Sequence, residues 1–346
     1  RNILHSSFAK VYKNSTMKIS FFSAKPYDKT FFEKENKQYN FDLMFYETHL
    51  GPHIVNAIED EDAVCVFVND RVNREVIEVL AKKGVKIIAL RCAGFNNVDL
   101  EAAKEFGIKV CRVPAYSPEA VAEHTMAMLL TLNRKTHKAY NRVREQNFAL
   151  NGLLGFNLYQ KTIGVIGTGK IGKAFVDIAK GFGCKIIAYD LYPDEELKKK
   201  GVEYVELNTL FENSDIISLH CPLTPENHYM INEKSIATMK DGVTIINTSR
   251  GALINTSDTI EALKEHKIGY LGIDVYEQEE KLFFKDLSAE IIRDDAIQRL
   301  MSFPNVLVTA HQAFFTQEAV EQISEITLKS ISDILDKGTT DEVVLL

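Results

Sequence analysis

From Lys18 onward, short runs of β-branched and aromatic residues alternate with longer charged stretches whose apolar positions recur at helical spacing. The apolar runs, bounded by turn residues, predict strands over Lys18–Ser23, Asp42–Tyr46, Ala63–Val68, Val85–Arg91 and Lys109–Val113. Between them, helices are predicted over Asn73–Lys83, stopped by Gly84, and Leu100–Phe106, stopped by Gly107, because glycine closes a helix in left-handed backbone at little cost. A second series places strands at Thr162–Ile166, Lys185–Tyr189, Ile216–His220, Val243–Asn247, Gly269–Val275 and Val306–Thr309. One long amphipathic helix, about Gln317–Leu335, closes the pattern. Strands that alternate with helices call for parallel sheets covered on both faces. The expected fold is therefore α/β, with two Rossmann-like or flavodoxin-like domains and an active-site cleft between them.

The two series are joined by a helix rather than by a low-complexity linker. Ser117 suits its N-cap and Pro118 its first turn. The stretch Glu119–Leu132 is apolar on nearly every side, which predicts burial between the domains.

Composition narrows the class. The chain has 346 residues, 45% hydrophobic and 26% charged, enough for two ordinary cores. A net charge of −7 argues against nucleic acid and anionic membrane as partners. It leaves a small anionic substrate open, which needs only local positive charge. No apolar run reaches the ~18 residues of a membrane span. The five cysteines, at 65, 92, 111, 184 and 221, are odd in number and form no CxxC. They read as reduced thiols of a cytoplasmic protein, with no metal site. The first sixteen residues precede Met17 and are set aside as an upstream or added segment.

Thr162-Ile-Gly-Val-Ile-Gly167-Thr-Gly169-Lys-Ile-Gly172 is a predicted strand, a GxGxxG turn and the start of a helix. In that context Gly167 makes the tight turn, Gly169 lets backbone approach a pyrophosphate, and Gly172 lets helix pack on strand. The helix N-terminus supplies N–H groups to the phosphates. Asp190 ends the next strand, 18 residues past Gly172. A carboxylate there accepts from a ribose 2′-hydroxyl and repels a 2′-phosphate, which points to NAD rather than NADP.

Three charged residues lie just beyond predicted strands: Arg250, Glu279 and His311. Ligands of open α/β sheets bind at that edge. Reducing a 2-keto acid needs a partner for the carboxylate, which a guanidinium forks onto. It also needs a proton donor as hydride arrives, a task suited to histidine. A glutamate on the other ring nitrogen would fix the tautomer and favour the charged ring. Spacing alone does not show that the three meet.

Together, Gly167–Gly172, Asn247-Thr-Ser-Arg-Gly251, Asp274-Val-Tyr-Glu277 and His311 resemble the D-isomer-specific 2-hydroxyacid dehydrogenases. Ala89-Leu-Arg-Cys-Ala-Gly-Phe-Asn-Asn-Val-Asp99, Val113-Pro-Ala-Tyr-Ser-Pro118 and His311-Gln-Ala-Phe-Phe-Thr316 are similar to the fermentative bacterial D-lactate members of that family. The resemblance implies a discontinuous substrate domain, 17–116 plus 314–346, with an NAD-binding domain, 117–313, inserted. It also implies roles. Arg250 binds the carboxylate, Glu279 pairs with the acid/base His311, and Asp274 supports the site and touches cofactor. Cys92, Ala93, Gly94, Phe95, Tyr116 and Phe314 line the substrate pocket. Lys170, Ile171, Cys221, Pro222, Asn227, Thr248 and Ser249 join Gly167, Gly169, Gly172 and Asp190 around NAD. The handedness of the product follows from the resemblance, as does a homodimer or homotetramer. Two other readings stand beside pyruvate reduction: a dehydrogenase of bulkier 2-keto acids, and an NAD-sensing scaffold of the same fold. A charged insertion, Lys281–Arg299, has no assigned role.

Overall fold

The computed structural model of the chain describes residues 16–340, so the segment set aside at the amino terminus lies, apart from Thr16, outside the described residues. The chain divides into two compact units. Unit 1 runs up to Tyr116 and resumes at Thr316; unit 2 is Ser117–Phe315.

Unit 1 is built on five parallel strands: β1 (Lys18–Phe21), β2 (Asp42–Phe45), β3 (Ala63–Val66), β4 (Ile87–Leu90) and β5 (Lys109–Arg112). Their order is β2-β1-β3-β4-β5, the flavodoxin-like arrangement. Each strand is shorter than its apolar run because the chain keeps burying side chains after the ladder ends. Phe22 and Ser23 are buried beyond β1, yet Ser23 turns the chain with φ of +54°. The helix Gln317–Lys337 is capped by the Thr316 hydroxyl, which accepts from the Ala319 N–H at 3.2 Å, and it ends on Gly338 at φ +74°. Its apolar stripe, including Ala319, Val320, Ile323, Leu328 and Ile331, is buried where it packs on the helix Pro26–Glu35 and on β4 and β5.

Unit 2 carries seven parallel strands: β6 (Thr162–Ile166), β7 (Lys185–Tyr189), β8 (Glu203–Tyr204), β9 (Ile216–Leu219), β10 (Val243–Asn247), β11 (Ile268–Ile273) and β12 (Val306–Val308). The order β12-β11-β10-β9-β6-β7-β8 reverses direction between β6 and β9, the switch point at which such sheets bind ligands. The two-residue β8 is not foreseen from the sequence, being too short to show a period. The helix Pro118–Arg134 is capped by Ser117 as expected. Within unit 2, its Met126, Met128, Leu129 and Leu132 share a core with Phe175, Val176 and Ile246. The charged stretch Lys281–Arg299 is also anchored. Phe283 is buried in the unit 2 core, with Leu282, Phe284 and Ile292 against it. The Tyr276 hydroxyl reaches both oxygens of Asp294 at 2.9 and 3.0 Å. Among the described residues no helix is long and apolar enough to cross a membrane.

Candidate active site

The glycine turn sits where β6 meets the twelve-residue helix Lys170–Gly181. Gly167 has φ of +92°, and a Cβ there would lie 2.6 Å from the Cys221 nitrogen. A Cβ on Gly172 would lie 2.1 Å from the Gly167 carbonyl oxygen. Both positions are therefore closed to larger residues by backbone. Gly169 differs, since a Cβ there meets nothing within 4 Å. It caps a helix that has no side-chain cap, so the first N–H groups face open space, as a pyrophosphate requires. Lys170 is exposed and Ile171 half-buried on the first turn. The Asp190 carboxylate ties the turn to the end of β7. It accepts from the Thr168 N–H at 2.6 Å and hydroxyl at 3.0 Å, and from the Tyr192 N–H at 2.8 Å.

The neighbouring strand ends continue this edge. Ser249 donates its hydroxyl to the Cys221 carbonyl at 2.6 Å, and Asn227 donates to the Pro222 carbonyl at 2.7 Å. Thr248 is buried, its hydroxyl 2.9 Å from that of Thr125. Burial pushes the Cys221 thiol up to about 11, so it is not a thiolate nucleophile near neutrality. Asn247 shapes the turn that follows β10. Its amide donates to the Arg250 carbonyl at 2.9 Å and accepts from the Ser249 N–H at 3.0 Å. Arg250 is exposed on that turn, held by one bond to the Ser249 carbonyl at 2.7 Å. Gly251 is required because a Cβ would fall 2.1 Å from the Tyr276 carbonyl carbon, which lets the β10 turn abut the chain leaving β11.

His311 follows β12 in left-handed backbone, φ +52°, a conformation that costs about 1–3 kcal/mol outside glycine. Asp274 holds it there. The Asp274 carbonyl accepts from the His311 N–H at 2.7 Å. The Asp274 carboxylate, fully buried, accepts from the Thr309 hydroxyl at 2.5 Å and from the N–H groups of Gln312 and Ala313 at 2.9 Å each. The His124 Nε2 lies 3.2 Å from the Thr309 hydroxyl and 3.5 Å from Asp274. Burial raises the Asp274 carboxyl, but the bonds from His124, Thr309, Ala313 and Gln312 together hold it below the usual carboxylate range. The His311 Nδ1 meets Glu279 Oε1 at 2.8 Å, and the other Glu279 oxygen accepts from the Tyr276 N–H at 3.0 Å. Among the described residues His311 Nε2 has no hydrogen-bond partner, and the side chain is 24% exposed. Phe314, three residues on, is buried against Phe315.

In unit 1, the loop after β4 carries Cys92–Phe95. The carbonyls of Cys92, Ala93 and Gly94 accept from the Val113 N–H (3.3 Å), Arg112 Nη1 (2.6 Å) and the Cys92 thiol (3.2 Å). In a trans peptide N–H points opposite to C=O, so the N–H groups of Ala93, Gly94 and Phe95 face the other way. No acceptor meets them among the described residues. Tyr116, half-buried, ends the unit.

Unit 2 thus brings Glu279 and His311 into contact and sets the glycine turn, Asp190, Cys221 and Ser249 side by side. Arg250 makes no bond to either of the acid/base pair. Sequence reasoning missed Asn247, His124, Thr309 and Arg112. Asn247 and Thr309 sit in or just past strands, a signal too general to single them out.

The sequence pattern of the D-isomer specific 2-hydroxyacid dehydrogenase NAD binding domain matches residues 126–313. The chain is 56% identical over 324 residues to the D-lactate dehydrogenase of Escherichia coli, covering 94% of this chain and 98% of that one. It is 54% identical over 329 residues to a 2-hydroxyacid dehydrogenase homolog of Haemophilus influenzae, covering 95% and 99%. The apo-structure of the Escherichia coli D-lactate dehydrogenase superposes with a TM-score of 0.88 at 53% identity, covering 95% of this chain and all of that one. This chain belongs to the D-isomer specific 2-hydroxyacid dehydrogenase family. It is an NAD-binding oxidoreductase whose glycine turn and Asp190 lie inside the matched domain.

Proposed function

We propose that the chain is an NAD-dependent D-lactate dehydrogenase, reversibly reducing pyruvate to D-lactate. The observation that carries the reading is the His311–Glu279 pair at 2.8 Å, which ties up Nδ1 and leaves Nε2 to exchange a proton with substrate. The names of relatives that span nearly the whole chain support the choice of acid. NADH, when bound, supplies the hydride to the keto carbon. Charged His311 delivers the proton to the carbonyl oxygen, and neutral His311 removes it in the reverse direction. Glu279 orients the ring and fixes which nitrogen faces the substrate. Arg250 forks onto the substrate carboxylate. The outward N–H groups of the loop Cys92–Phe95, the Tyr116 ring and Phe314 are assigned to the acid. Gly167, Gly169, Lys170, Ile171, Gly172, Asp190, Cys221, Pro222, Asn227, Thr248, Ser249 and Asp274 are assigned to the cofactor.

We further propose a homodimer or homotetramer in the cytoplasm. Tyr140, Phe148, Leu150 and Leu154 are exposed on the helix Thr136–Arg144 and the segment after it, more apolar surface than a lone unit needs. All five cysteines are free thiols, as suits a reducing compartment. The test of function is NADH consumption with pyruvate, followed by chiral analysis of the product. D-lactate is expected. No NADH consumption with any 2-keto acid would refute the reading, and faster turnover of branched or aromatic acids would replace the substrate. Sedimentation of the purified chain at the mass of a single copy would overturn the assembly.

A further inference from the structure

Arg112 is the last residue of β5, an edge strand, and pairs in register with Leu90 of β4. The chain leaving β4 becomes the loop Cys92–Phe95, so Arg112 stands beside it. Its Nη1 donates to the Ala93 carbonyl at 2.6 Å, and its guanidinium carbon lies 5.0 Å from the centre of the Phe95 ring. It is half-buried, and no carboxylate lies within ion-pair distance of it among the described residues. A guanidinium that borders a core without a carboxylate partner carries a desolvation cost, which its hydrogen bond and its aromatic neighbour offset here.

We propose that Arg112 is a positioning residue for the substrate loop. Its fork fixes the Ala93 carbonyl and its face fixes the Phe95 ring, one residue either side of Gly94. Of the three peptide units whose N–H groups point outward, the middle one is thereby held by a side chain rather than by strand pairing. Lysine could supply the hydrogen bond but not the planar face. The inference rests on the reading of Cys92–Phe95 as the loop that contacts the acid. Arg112 itself need not touch the substrate.

The test combines steady-state kinetics with amide hydrogen exchange on purified wild type, Arg112→Met and Arg112→Lys. Loss of one hydrogen bond from a charged donor predicts a KM for pyruvate raised on the order of tenfold in Arg112→Met. Its kcat should stay within about threefold and its NADH affinity unchanged, because His311 and the glycine turn are untouched. Arg112→Lys should fall between the two. Exchange at the two amides that donate to the loop, Val113 to the Cys92 carbonyl at 3.3 Å and Val98 to the Phe95 carbonyl at 3.1 Å, should quicken in Arg112→Met, while β1 and β3 keep their protection. A purely structural arginine would lower the melting temperature and leave the balance of KM against kcat as it was. A pyruvate KM within twofold of wild type, or unaltered exchange at Val113 and Val98, overturns the proposal. If Arg112→Met does not fold, Arg112→Lys decides it by the same two readouts. If wild type itself ignores pyruvate, the functional reading falls, and the exchange data still decide whether Arg112 holds the loop.

Discussion

Replacing Asp274 with asparagine removes a buried charge while keeping size and shape, and the cost can be worked from its bonds. Oδ1 accepts from the Thr309 hydroxyl at 2.5 Å and the Gln312 N–H at 2.9 Å, and Oδ2 accepts from the Ala313 N–H at 2.9 Å. With the amide oxygen in the Oδ1 place, its NH₂ faces the Ala313 N–H, donor against donor. One buried N–H then goes unsatisfied, at about 1–3 kcal/mol, and two charge-assisted bonds become neutral ones, at about 1 kcal/mol each. The sum, about 3–5 kcal/mol, leaves most domains folded. The turn that holds His311 at φ +52° loses its clamp, and a shift of about 1 Å in the ring costs about 10²-fold in rate. Urea unfolding and kcat for pyruvate, measured together at neutral pH, read both effects. The pH dependence supplies a second arm. The folded carboxyl lies below its ordinary value, so its stabilisation is complete above the unfolded pKa of about 3.9 and fades as pH falls through the lower folded value. The difference between wild type and variant should hold steady from about pH 5 to 8 and shrink under acid. A variant within about 1 kcal/mol of wild type with undiminished kcat would refute this account of the turn.

His311→Asn should lower pyruvate reduction by about 10²–10⁴-fold while NADH still binds, and Glu279→Gln should lower it less; equal losses would mean the glutamate does more than orient the ring. Arg250→Lys keeps the charge and loses the fork, so kcat/KM should fall by the equivalent of about 2–5 kcal/mol, with NADH affinity unchanged by fluorescence titration. Gly172→Ala puts a methyl 2.1 Å from the Gly167 oxygen, so the turn must move and NADH affinity should drop at least about tenfold while circular dichroism is unchanged. Burial pushes His220, behind that turn, down to about 3. It is neutral when folded and charged when unfolded, so stability should decline as pH falls from about 6.5 towards 3. Substituting His220 with asparagine should flatten that decline in pH-dependent unfolding.

The sequence was most legible where a local rule and a tertiary demand coincide. Lys185–Tyr189 and Val243–Asn247 appear as expected, because central parallel strands are apolar runs cut off by turn residues at both ends. The glycine turn was legible for the same reason. Asp190 stood out by spacing, yet nothing in spacing told that it would brace Thr168. In unit 1 the strands read too long, since Phe22 and Phe67 carry the apolar pattern past the last ladder bond. The stretch Lys281–Arg299 looked like solvated charge because its two anchors, Phe283 and the Tyr276–Asp294 contact, are met only in three dimensions. Asp274 was visible as an acid, but its bonds to the 309–313 turn span more than thirty residues of chain and leave no periodic trace.

The helix Gln317–Lys337 covers β4 and β5, strands made some two hundred residues earlier. During synthesis at roughly 5–20 residues per second, the apolar faces of those strands must wait about ten to forty seconds for their cover. Unit 2, by contrast, is contiguous from Ser117 to Phe315 and has every strand it needs before that helix is made. The nascent chain therefore completes its cofactor-binding half first, and unit 1, though its strands are made earlier, is the last to finish folding.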